Sequence, residues 1–190
     1  VTRHSFTRTS AALLLAFAVF GSACTLGISE NEAGAGSTFI GSLELIDPAD
    51  REPAPDVCGT TTDDEELCLD SLVGTPTLVN FWASWCGPCA REIPELVELD
   101  ETREDLHIVG VNVQDSIVNA RSFERDQGVT YPSWYDEGST IAGAFGGIAP
   151  EALPSTILLD REHRVAIRLF GAVTMADLVP FLDQLASEPA

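Results

Sequence analysis

The sequence predicts an α/β sandwich built on a mixed central β-sheet. Three observations predict it. Apolar runs of strand length alternate with amphipathic runs of helix length, the last two strands are separated only by a short polar turn, and 45% hydrophobic residues in a chain of 190 supply one real core. Strands joined through helices pair in parallel, whereas a short turn imposes an antiparallel hairpin, so the sheet has to be mixed.

The elements follow in order. "FIGSLELI" (39–46) alternates as a strand does before Pro48, Pro53 and Pro55 interrupt it, and the compact domain is expected from about Pro55. "TLVNFWA" (77–83) is apolar almost throughout, as a strand buried on both faces should be. Residues 88–103 place Ile93, Leu96, Val97 and Leu99 on one side of a helix. "HIVGVNV" (107–113) is a second buried strand, 116–127 a helix, "TYPSWYD" extended, and 139–145 a short helix. "STILLD" and "RVAIRLF" are strands joined at Asp160, Arg161, Glu162 and His163, and 174–186 is a final helix.

The first 23 residues stand apart. Arg3, His4 and Arg8 precede an apolar run (11–20) that ends in Gly21, Ser22 and Ala23, the pattern of a secretory signal peptide. The run is shorter than the roughly 20 apolar residues of a spanning helix, and no Arg-Arg pair precedes it, which points to export of an unfolded chain. Cys24 comes next, and "FGSAC" resembles the processing site of bacterial lipoproteins. That resemblance implies a lipid on Cys24 and anchoring to the outer face of the cytoplasmic membrane. Gly-Ser-Ala also suits ordinary signal cleavage, which would release a soluble secreted protein. Residues 25–37 have the composition of a flexible tether. The chain therefore divides into a signal peptide (1–23), an anchor site and linker (24–54) and a folded domain (55–190).

Removing residues 1–23 takes away two Arg and no acid, leaving 30 acidic against 8 basic side chains, a net charge of −22. Such a surface repels phosphate backbones and argues against nucleic acid as a partner. It serves as a well-hydrated surface, or it steers basic partners.

The chemistry is concentrated in "FWASWCGPCAREIP" (81–94). Zinc needs four ligands, and this Cys-x-x-Cys pair has only the isolated His4, His107 and His163 to complement it, so no metal is expected. Strand, Cys86, Gly-Pro and helix in succession put the first sulfur at a helix N-terminus, where free N–H groups and the helix dipole stabilise a thiolate. Cys86 is thus the expected nucleophile and Cys89 the resolving thiol of a disulfide exchange that needs no cofactor.

"VNFWASWCGPC" resembles the thioredoxin superfamily and, within it, the TlpA/ResA-type (DsbE-like) exported thiol-disulfide oxidoreductases, some of which serve cytochrome c maturation. The resemblance covers about 55–187. Asn80 stands where cytoplasmic thioredoxins carry a buried Asp, "CAREIP" is similar to the branch's Cys-x-x-Glu-x-Pro, and "LPSTILLD" resembles the segment that holds the family's cis-proline.

The resemblance implies a thioredoxin-like three-layer sandwich with an N-terminal β-hairpin. It implies Glu92 as the acid/base for the two thiols. It also implies a cis Pro154 opposite Cys86, with the Leu153 backbone pairing a substrate strand. Trp85 is expected to shield the disulfide and offer apolar contact. Cys58 and Cys68 fall where that hairpin lies, and outside the cytoplasm a disulfide between them is natural. The stretch "GGIAPEALP", with the competing Pro150, departs from the usual short link before the cis-proline.

The Gly-Pro dipeptide, shared with thioredoxin, points to a reductant of exported protein disulfides fed by a membrane thiol-disulfide electron donor. A disulfide-forming oxidase is the alternative direction. From other classes, a copper-delivery module would use Cys-x-x-x-Cys plus a distal His, a peroxidase would set its cysteine in a Thr-rich loop, and a non-catalytic binding domain would keep the fold alone.

Overall fold

The computed structural model describes residues 41–146 and 153–188. The expected signal peptide (1–23), Cys24, the expected tether (25–37), residues 38–40, the stretch 147–152 with Pro150 and residues 189–190 lie outside the described residues.

The chain runs β1 (Ser42–Leu45), β2 (Cys58–Thr60), β3 (Glu66–Cys68), a 3-10 turn (Leu69–Leu72), β4 (Thr77–Trp82), α1 (Gly87–Thr102), β5 (His107–Val113), α2 (Ile117–Gln127), β6 (Ser133–Asp136), α3 (Thr140–Ala144), β7 (Ser155–Leu159), β8 (Val165–Phe170) and α4 (Met175–Ser187). One sheet orders them β1-β8-β7-β4-β5-β6, with β4, β5 and β6 parallel and β7, β8 and β1 antiparallel to their neighbours. This is the mixed α/β sandwich expected from the alternation of elements.

All six residues of β4 are buried, because it is flanked by β5 and β7 and covered on both faces. On one face Val79, Phe81, Val109, Val111 and Ile157 pack with Ile141 and Phe145 from α3 and its end, and with Leu69 beside the hairpin. On the other, Leu78, Ile108 and Leu158 meet Leu96 and Leu99 of α1 and Leu178, Leu182 and Leu185 of α4. A third cluster joins Trp82, Cys86, Cys89, Ile93 and Ala120 at the carboxyl end of β4.

The helices start and stop on recognisable signals. Ser116 accepts the Asn119 N–H at the head of α2, and Gly128 closes that helix in the left-handed region at φ 70°. Thr174 and Asp177 form a reciprocal capping box on α4.

The boundary expected near Pro55 moves. β1 pairs antiparallel with β8, Ser42 opposite Phe170, and Pro53 bridges Arg164. The buried Arg51 guanidinium makes ion pairs with Asp160 at 3.2 Å and Glu188 at 2.5 Å. Residues 42–54 are thus built into the domain. The prolines end β1 and bend the chain, but the ladder to β8 and the Arg51 ion pairs tie the segment down.

β2 and β3 form the N-terminal hairpin, with Cys58 directly opposite Cys68 and disulfide-bonded to it. In the turn that joins the two strands Thr61 bridges Trp134 and the Thr62 N–H donates to the Ser133 carbonyl at 2.8 Å, so the hairpin's tip runs beside β6.

Candidate active site

The site forms where β4 ends and α1 begins, at the carboxyl end of the parallel strands. The Cys86 N–H donates to the Ala83 carbonyl at 3.1 Å, turning the chain, and Cys86 becomes the N-cap of α1. Its sulfur accepts the Cys89 N–H at 3.2 Å. Pro88 sits in the first helical turn, where its missing N–H costs no helical bond. Cys86 and Cys89 are disulfide-bonded, with Cα atoms 5.3 Å apart. Cys86 is 5% exposed and Cys89 wholly buried, so the first sulfur is the more accessible.

Glu92 lies one turn after Cys89 on the buried stripe of α1 that continues through Ile93, Leu96 and Leu99. A carboxylate there is enclosed by apolar neighbours, and it is held by two donors. Asn80 Nδ2 reaches Glu92 Oε2 at 3.0 Å and the Val173 N–H reaches Oε1 at 3.2 Å. Burial pushes the Glu92 carboxyl up to about 7, against these two hydrogen bonds, which favour the charged form. Asn80 also donates to Thr156 Oγ1 at 3.2 Å, tying β4 to β7 under the site.

The Leu153–Pro154 peptide bond is cis. Leu153 packs against the cluster that holds both cysteines. An open groove of about 490 Å³ runs between the first turns of α1 and this segment, walled by Pro88, Arg91 and Glu92, by Leu153 and Pro154, and by 171–174. Trp85, next to Cys86 in the chain, stands half-exposed, its indole donating to the Gln114 carbonyl at 3.0 Å. The structure therefore brings Trp85, Cys86, Cys89, Glu92, Leu153 and Pro154 into one neighbourhood. Cys58 and Cys68 sit apart on the hairpin. No group of three or more His, Cys, Asp or Glu among the described residues is placed to hold a metal ion.

Two partners of the site had no expectation in the sequence. Val173 reaches Glu92 through its backbone, and Asp115 reaches the redox turn from the loop that follows β5, as described below. Neither backbone contact nor a pairing across 31 residues leaves a local sequence signal.

A strand, a Cys-x-x-Cys pair capping the next helix and a cis-proline beside it, on a mixed sheet with helices on both faces, define a thiol-disulfide oxidoreductase of thioredoxin fold. Among solved structures the chain is similar to a secreted thiol-disulfide isomerase from Corynebacterium glutamicum. That chain is 31% identical with a TM-score of 0.73, over 80% of this chain and 100% of that one. A DsbF homologue from Corynebacterium diphtheriae is also 31% identical, with a TM-score of 0.71 over 78% of this chain and 99% of that one. The thiol-disulfide oxidoreductase ResA of Geobacillus thermodenitrificans is 31% identical over 70% of this chain and 75% of its own length. Residues 51–168 match the AhpC/TSA family model, and the chain belongs to that family.

Proposed function

We propose that this oxidoreductase reduces disulfides of exported proteins, including disulfides formed by cysteines that await haem attachment in cytochrome c maturation. The Cys86 thiolate attacks a client disulfide. An S–S bond forms to Cys86, the client's own S–S bond breaks, and the leaving sulfur takes a proton. Glu92 then accepts the Cys89 thiol proton, Cys89 attacks Cys86, and the second client sulfur leaves as a thiol. The client gains two electrons and the enzyme ends as the Cys86–Cys89 disulfide. A membrane thiol-disulfide donor returns the pair to the dithiol.

The observation that carries this reading is the Cys86 sulfur at the head of α1 with Glu92, titrating at about 7, buried one turn beyond Cys89. An acid with that midpoint both accepts and returns protons at neutral pH. The groove beside Leu153 and Pro154 suits an extended client segment that pairs with the Leu153 backbone, and Trp85 gives it an apolar contact. Export by the segment 1–23 and a lipid on Cys24 would keep the domain on the outer face of the cytoplasmic membrane.

The test is a redox titration of the Cys86/Cys89 pair, with Cys89→Ser used to trap the mixed disulfide on Cys86. A potential near or below about −270 mV supports the reductant. A potential well above about −200 mV refutes it in favour of a disulfide-forming oxidase.

A further inference from the structure

Four hydrogen-bond donors converge on one carboxylate beside the redox turn. Asp115, between β5 and α2, is 6% exposed. Its Oδ2 accepts from the Ser84 N–H at 2.6 Å and from Asn112 Nδ2 at 3.2 Å. Its Oδ1 accepts from the Ser84 hydroxyl at 2.9 Å and the Ser116 N–H at 2.8 Å. Only a carboxylate offers acceptors on both arms, since an amide would turn its NH2 toward two of these donors.

The segment that carries Asp115 is itself fixed. The Tyr135 hydroxyl donates to the Asp115 carbonyl at 2.9 Å and the Trp85 indole to the Gln114 carbonyl at 3.0 Å. Gln114 takes φ 47°, a left-handed conformation uncommon outside glycine. Ser84 stands two residues before Cys86, inside the turn closed by the Cys86 N–H and the Ala83 carbonyl. The grip therefore acts on the segment that delivers Cys86 to α1, not on α1 itself.

We propose that Asp115 is a positioning residue for thiol-disulfide exchange: through Ser84 it holds the 83–86 turn so that the Cys86 sulfur stays at the free N–H groups of α1. This rests on Cys86 being the nucleophile. Position and charge predict opposite signs. A nearby carboxylate disfavours a thiolate, so a residue acting through its charge would, on neutralisation, ease ionisation of Cys86. Loosening the turn instead draws the sulfur away from the helix N-terminus and makes ionisation harder.

Ser84→Ala removes one of the two contacts from Ser84 without altering charge, and Asp115→Asn removes the charge and half of the acceptors. The readouts are the Cys86 thiolate titration, followed by ultraviolet absorbance of the reduced protein, the rate of glutathione disulfide reduction, and the unfolding midpoint, with Cys86→Ser as blank. In Ser84→Ala the thiolate midpoint should rise by about half a unit. Below that midpoint this leaves about threefold less thiolate, and exchange about twofold slower once the higher nucleophilicity of a more basic thiolate is counted. Asp115→Asn should move the same way and further. A thiolate midpoint that stays or falls in either variant overturns the proposal, whatever happens to the unfolding midpoint, and Ser84→Ala alone decides if Asp115→Asn does not fold. A parent protein no faster than Cys86→Ser overturns the reading of Cys86 as well, whereas an active parent with an unaffected Ser84→Ala overturns this inference alone.

Discussion

Replacing Glu92 by Gln should flatten a pH dependence of stability that this one side chain creates. Glu92 is 1% exposed, and its carboxyl is raised from 4.5 to about 7 chiefly by burial. The unfolded chain releases the proton near 4.5 while the folded one holds it to about 7, so between those values the native state binds the extra proton. The contribution of Glu92 to stability is therefore full below about pH 4.5, falls as pH rises through about 7 and levels off above. A shift of about 2.5 units at about 1.4 kcal/mol each gives a loss of about 3 kcal/mol across that window. Among the described residues the Asn80 Oδ1 has no hydrogen-bond partner, so the Asn80 amide can turn to accept the NH2 of a Gln at position 92. Urea unfolding of the oxidised protein and of Glu92→Gln from pH 4 to 8 reads the difference directly. The variant should gain on the parent by about 3 kcal/mol from the acid to the neutral end. Curves that stay parallel would refute the account of Glu92 as a buried, destabilising carboxylate.

Three further outcomes follow from the packing. The double variant Cys58→Ser/Cys68→Ser opens a loop of sequence separation 10 and should lose about 3 kcal/mol in urea unfolding, while the Cys86/Cys89 pair still exchanges disulfides. Arg51→Ala leaves the buried Asp160 without one of its two cations and should cost about 3 kcal/mol, read as a lowered thermal midpoint. Gly110→Ala would set a methyl 2.3 Å from Ser133 Oγ and 2.7 Å from Trp82 Nε1, both in the buried core, so calorimetry should show a loss of about 1–3 kcal/mol.

Much of the fold was legible because its signals are local. β4 and β5 are apolar at most positions, and Cys-Gly-Pro-Cys announces a helix start by its own chemistry, so the bounds of β4, α1 and β5 fall within a residue of those expected. β2 and β3 are three residues each, too short for any period to show, and only a resemblance pointed to the hairpin. The prolines at 48, 53 and 55 read as the end of structure, whereas the long-range pairing of β1 with β8 and the buried Arg51 carry the domain back to Ser42. At the site, the two cysteines and Glu92 were visible as a motif. The Val173 N–H that holds Glu92 and the carboxylate that grips Ser84 arrive from 81 and 31 residues away, where sequence spacing says nothing.

The turn inside the stapled hairpin reaches further than the hairpin's own stability. β6 is the last strand of the six, and a terminal strand offers unpaired backbone groups to any other chain that passes. Thr61 and Thr62 lie against that flank and take up part of it. Gly59 is seated so close to Ile141 and Trp134 that a side chain there would collide, which keeps the cover flush. The Cys58–Cys68 bond closes the hairpin whose turn guards this edge, so its loss bears on the exposure of β6 as well as on folding.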